Sequence, residues 1–191
     1  MALAIHSARA AGQLSRDARV VHLDLDAHLG NGLAHCFLDD PRVRLFDAFN
    51  AQIYPSHDRV ALERVDHPLP VDGHTSEASY LDRLRDELPR FLDAQRGVAL
   101  AVYNAGTDVF VDDPLGGLSL SAAAIAERDA WVVGELRRRG IPTAVVPSGG
   151  YTRESHRLIA RSVAGWLGRP QAGEGSASGT SILRQTASAK E

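Results

Sequence analysis

The chain has 191 residues, 44% of them hydrophobic and 24% charged, with a formal net charge of -3. This suits one globular domain, or one domain with a tail. The acidic balance argues against a basic surface for nucleic acid or an anionic membrane, so neither is expected as a partner. One cysteine, Cys36, rules out an internal disulfide framework and a cysteine-rich zinc module, and it reads as a small buried or half-buried residue. No stretch has the length and apolarity of a signal-peptide core or a membrane span, and a cytoplasmic protein is the expectation.

In chain order, the spacing of apolar residues predicts a helix over 2–14 and a strand over 19–25 closed by a turn at Gly30 and Gly32. A second strand over 43–46 ends on Asp47, and a third is expected over 60–65. Between them the polar, proline-punctuated residues 50–59 read as a surface or rim loop. A helix over 75–95 starts at a Thr75 or Ser76 cap, places Leu81, Leu84, Leu88, Phe91 and Leu92 on one face, and is loosened at Pro89. The most apolar strand, 98–103, leads to a loop and then to a helix over 122–139 that stops at Gly140. A strand over 143–147 and a helix over 153–167 complete the pattern. Residues 1–168 are expected to form the domain, and the Gly/Ser/Ala-rich residues 169–191 a disordered tail. Strands alternating with helices predict an α/β domain with a mainly parallel sheet, whose sites form at the carboxyl ends of strands.

The most informative stretch is residues 20–32, V-V-H-L-D-L-D-A-H-L-G-N-G. Side chains in a strand alternate, so Asp24, Asp26 and His28 project to one side and Leu23, Leu25 and Ala27 to the other. Converging buried carboxylates call for compensation, and a cation is the usual one. Asp26 and His28 can bind one ion, with Asp108 from a distant loop as a third ligand and a position left for water. Such an ion supports metal-assisted amide hydrolysis. Tyr151, following Gly149 and Gly150, could donate a hydrogen bond to the developing oxyanion.

Four motifs in order, D-L-D-A-H-L-G-N-G (24–32), Y-N-A-G-T-D (103–108), D-P-L-G-G-L-S-L-S (113–121) and S-G-G-Y (148–151), resemble the zinc-dependent histone deacetylases, and most closely the class IV branch and its bacterial relatives. The resemblance implies the three-layer α/β/α sandwich of the arginase/deacetylase type and a deacylase acting on acyl-lysine or a small acylated amine. It implies Zn2+ held by Asp26, His28 and Asp108, with Asp24 orienting a catalytic histidine and also serving a potassium (K+) site. Asp47 falls near a further potassium-site position that is usually serine, Tyr151 matches the carbonyl-polarising tyrosine, and Leu115 with Gly149 and Gly150 matches the substrate-binding wall. A dimanganese arginase-type site is disfavoured, because Gly30 stands where a further aspartate would be needed.

The family's tandem histidine pair is the departure, since upstream of Asp24 stand only His6 and His22, and His22 reads as structural. The chain therefore reads as the C-terminal portion of such a domain, impaired in acid–base chemistry when alone. A non-catalytic metal-binding or partner-binding module is the alternative. If flanking strands are absent beside the strand bearing Asp24, self-association or pairing with a missing N-terminal part is expected. His35, His57, His67, His74 and His156 read as loop or surface residues, and Tyr103 and Asn104 as packing and turn residues. Asp112 and Asp113 are open between a loop turn and a substrate contact, and 137–139 reads as a solvated helix end.

Overall fold

The computed structural model describes residues 1–167. Its strands are β1 (Arg19–Asp24), β2 (Val43–Asn50), β3 (His67–Val71), β4 (Val98–Asn104) and β5 (Thr143–Val146). They form one parallel sheet in the order β3-β2-β1-β4-β5. The helices are α1 (Ala2–Ala10), α2 (Asn31–Cys36), α3 (Arg59–Arg64), α4 (Glu77–Asp93), α5 (Ala122–Arg138) and α6 (Ser155–Trp166).

The chain steps from β1 to β2 to β3 in one direction, then crosses back to lay β4 and β5 on the other side of β1. Parallel crossovers keep one hand, so a reversal of direction moves the connecting helices to the opposite face. Accordingly Ile5 of α1, Ala34 of α2 and Ala61 of α3 pack with Val20, Val43, Leu45 and Val102 on one face. Residues of α4, α5 and α6, including Leu84, Leu88, Ile125, Leu136 and Leu158, pack with Val21, Leu23, Phe46 and Tyr103 on the other. The result is the expected three-layer α/β/α arrangement. The reversal falls between β1 and β4, the switch point at whose carboxyl ends sites form in open parallel sheets.

Local chemistry explains the helix ends. Ser76 and Ser121 cap α4 and α5 by accepting from the backbone N–H of Ser79 and Ala124. Gly140, at φ +65°, ends α5 in a left-handed turn, with Ile141 N–H returning to Leu136 O. Pro89 sits inside α4 without breaking it.

Several expectations are corrected. Residues 60–65 are not a strand; they belong to α3, where Asp58 accepts from Ala61 N–H and starts a helical turn. The third strand is β3, whose Pro68 and Pro70 are tolerated because it is an edge strand. β2 continues past Phe46 to Asn50, which puts Asp47 inside the strand rather than after it. A short helix, α2, follows the turn at Gly30. Cys36 is exposed, not buried. The strand bearing Asp24 is central and paired on both edges, by β2 and β4, so the expected loss of its flanking strands is not found. The tail expected over 169–191 lies outside the described residues.

Candidate metal centre

The candidate ligands come from the loops on both sides of this switch point. Asp26 and His28 lie on the loop leaving β1, and Asp108 lies on the loop leaving β4. One ligand atom from each falls within 4.8 Å of the others. His28 Nδ1 sits 2.9 Å from Asp108 Oδ2, and Asp108 Oδ1 accepts from Ala27 N–H at 2.8 Å. Asp26 Oδ1 accepts from His28 N–H at 2.7 Å. Asp108 is fully buried, while Asp26 and His28 are half-buried, so the cluster is open on one side.

Glycines let these loops meet. A Cβ on Gly106 would lie 2.1 Å from Asp26 Cβ, which no side chain could accommodate. Gly149 (φ +82°) and Gly150 (φ +114°) bring the backbone after β5 against Asp108 and Thr107. Tyr151 follows, 55% exposed, its ring edge-on to His28 with centroids 6.0 Å apart.

Below the cluster the fully buried Arg128 of α5 ties both loops to one helix. Nη1 donates to Leu25 O and Nη2 to Gly106 O, each at 2.8 Å, while Nε donates to Asp129 Oδ1. Asp129 also accepts from the Tyr103 and Ser162 hydroxyls, at 2.5 Å each. The guanidinium thus spends its donors on backbone carbonyls adjoining the ligands and on a single counter-charge.

Beside the cluster lies a second acidic pair. Asp24 and Asp47 face each other in register on β1 and β2, 4% and 3% exposed, and a Cβ on Gly30 would lie 2.7 and 3.2 Å from their Oδ2 atoms. Asp47 Oδ2 accepts from Gly30 N–H, whereas Asp47 Oδ1 is buried without a partner among the described residues.

The electrostatics follow from burial. Burial, and then the Asp26 and Asp47 charges, push Asp24 well above the carboxylate range; Asp47 is raised by burial and Asp26. Asp26 is pushed up to about 6 by burial and by Asp108, against the stabilising His28 N–H. The Asp108 hydrogen bond raises His28, and burial followed by the surrounding acids raises the Tyr151 phenol, which therefore stays protonated as a donor. Acids that raise one another in this way fit a cation, which would hold them ionised, and two carboxylates with one imidazole are a donor set for a divalent ion.

Sequence reasoning missed the roles of Asn104 and Asn50 and left Asp113 open between a loop turn, which the structure shows, and a substrate contact. Asn104, read as a turn residue, donates to Asp24 and Asp26. Asp113 is buried and accepts from Leu115, Gly116 and Tyr151 N–H, so it pins the loop behind Tyr151. Asn50 donates to Gly116 O and Gly117 O, fastening that loop to the end of β2. A polar residue placed directly at a strand's end was the available signal for Asn50 and Asn104. Leu115 is 53% exposed on the same loop. His22 and His6 lie elsewhere, His22 buried with Nε2 3.4 Å from Met1 Sδ and His6 stacked on Phe37.

Residues 1–167 match the histone deacetylase domain family. Histone deacetylase 2 of Arabidopsis thaliana is 40% identical over 148 residues, which is 78% of this chain and 38% of that protein. The acetylpolyamine aminohydrolase structure from Burkholderia pseudomallei superposes with a TM-score of 0.65 at 30% identity, covering 86% of this chain and 48% of that one. A histone deacetylase homologue from Aquifex aeolicus superposes with a TM-score of 0.74 at 21% identity, over 88% of this chain and 46% of the other, a likeness of fold. This chain spans less than half the length of each of these proteins.

Proposed function

The chain belongs to the histone deacetylase family, and from that premise we propose that its cluster is a zinc-dependent deacylase site for the amide of acyl-lysine or a small acylated amine. The observation that carries this reading is the convergence of Asp26, His28 and Asp108 from the two loops flanking the switch in strand order. These three residues would hold Zn2+, which when bound supplies Lewis acidity toward the scissile carbonyl and acidifies a water. Tyr151 donates its phenolic proton in a hydrogen bond to the oxygen that becomes negative in the transition state, from the end of a backbone held by Asp113. Leu115, Gly149 and Gly150 form the wall against which the acyl chain lies. Asp24 and Asp47 form a second cation site, for potassium, supported by the unpartnered Asp47 Oδ1. The relative named for acetylpolyamine supports an acylated amine as substrate class, and no helix among the described residues is long and apolar enough to cross a membrane.

A second reading, a non-catalytic metal-binding module, is favoured by one observation: the cluster among the described residues holds a single histidine, His28, and no acid–base pair. Loss of that contribution lowers the rate by about 10²–10⁴-fold. The test is turnover of an acetyl-lysine peptide and an acetylated diamine by the zinc-loaded chain. Slow turnover that Tyr151→Phe abolishes supports the deacylase; bound zinc without turnover of either substrate supports the module.

A further inference from the structure

Asn104 closes β4 directly opposite Asp24 in the β1–β4 register and is 2% exposed. Its Nδ2 donates to Asp24 Oδ1 at 2.6 Å and to Asp26 Oδ2 at 3.2 Å. One amide therefore joins the acid that faces Asp47 to the acid that faces His28 and Asp108. With His28 N–H on Oδ1 and Asn104 on Oδ2, the Asp26 carboxylate is gripped at both oxygens, and each keeps a lone pair for a cation.

With both acids ionised, as a bound cation would hold them, the amide cannot be turned over, because that would press Oδ1 against both carboxylates. The orientation holds even though Asn104 Oδ1 is left buried with no partner among the described residues, a destabilising arrangement that a side chain serving packing alone would not need. The neutral charge matters equally. An arginine or lysine here would neutralise the acids and compete with an ion, and an aspartate would add repulsion. An amide alone fixes the carboxylates while leaving their charge for a ligand.

We infer that Asn104 is a positioning residue of the cation site, holding Asp26 in its ligating orientation and linking it to Asp24 through a neutral double donor. The inference rests on the metal reading of the cluster. Partners that orient metal ligands change affinity by about 10–100-fold when removed, and that is the expected effect here.

The experiment is competitive zinc titration of the full chain against a chromophoric chelator, with cobalt(II) absorption spectra of the same proteins and circular dichroism as the check of folding. Asn104→Leu is expected to weaken zinc binding about 10–100-fold at unchanged stoichiometry and to shift the cobalt bands. Asn104→Ser, which keeps one donor, is expected to fall between Asn104→Leu and wild type, and it carries the test if Asn104→Leu does not fold. Folded Asn104 variants that match wild type within about twofold, with unshifted cobalt bands, overturn the inference and leave the metal reading standing. Wild type that takes up neither metal overturns the metal reading and this inference with it.

Discussion

His22 sits 2% exposed on the same strand as Asp24, and burial, followed by the nearby chain amino terminus, drives its pKa from 6.5 down to about 3. Between those values the unfolded chain binds a proton that the folded chain refuses, so stability is complete above about 6.5 and is lost as pH falls toward about 3. The slope is at most about 1.4 kcal/mol per pH unit. Urea denaturation at pH 7.5 and pH 5 should therefore show wild type losing about 2 kcal/mol more than His22→Leu; equal losses would remove His22 as the cause. At this scale much of the site was legible in the sequence. Asp24, Asp26 and His28 were named from alternation along one strand, although β1 ends at Asp24 and the other two stand on the loop after it, and Asp108 and Tyr151 were named from their motifs. Asn104 and Asn50 were not legible, and Asp113 only as a loop turn, because the rest of their importance lies in what they touch 38 to 80 positions away in the chain. That distance is closed by sheet order and not by local pattern.

At the scale of elements, α5 does more than cover the sheet. Its Arg128 holds the carbonyls of Leu25 and Gly106, which fixes the loop after β1 against the loop after β4. Removing the guanidinium would strand Asp129 as a buried charge and free two carbonyls, and breaking such a buried pair costs about 3–5 kcal/mol. Arg128→Leu should lower the denaturation free energy by that amount, as read from urea midpoints at constant m; a loss under about 1 kcal/mol would mean the clamp is dispensable. The helices α4, α5 and α6 could be read from apolar spacing, and α4 and α5 also from an end signal, because each runs twelve residues or more. The α3/β3 region could not. Val60, Leu62 and Val65 form a short apolar run that fits either period, and the prolines of β3 obscured a strand that survives only at the sheet's edge.

At the scale of the whole molecule, the sheet ends in two unlike edges. β3 is blunted by Pro68 and Pro70, while β5 (T-A-V-V) pairs only with β4 among the described residues and exposes Ala144. Apolar side chains flank β5 on both faces, Ala4, Leu100 and Val146 on one and Val133, Val145 and Trp166 on the other. An open apolar edge is a template for association. Light scattering of the full chain should show mass rising with concentration, and Ala144→Lys should suppress the rise; a monodisperse monomer at every concentration would contradict this. The fold class and the position of the site at the strands' carboxyl ends were both readable from alternating elements. The strand order was not, and it is the order that makes β1 central and places the switch point between β1 and β4.

The most direct measurement is zinc content after equilibrium dialysis of the folded chain, by mass spectrometry, for wild type, Asp26→Asn, His28→Ala and Asp108→Asn. One zinc ion per chain in wild type and its loss in each variant is the expected result. A folded wild type without zinc, or variants that retain it in full, would contradict the assignment of Asp26, His28 and Asp108 as its ligands.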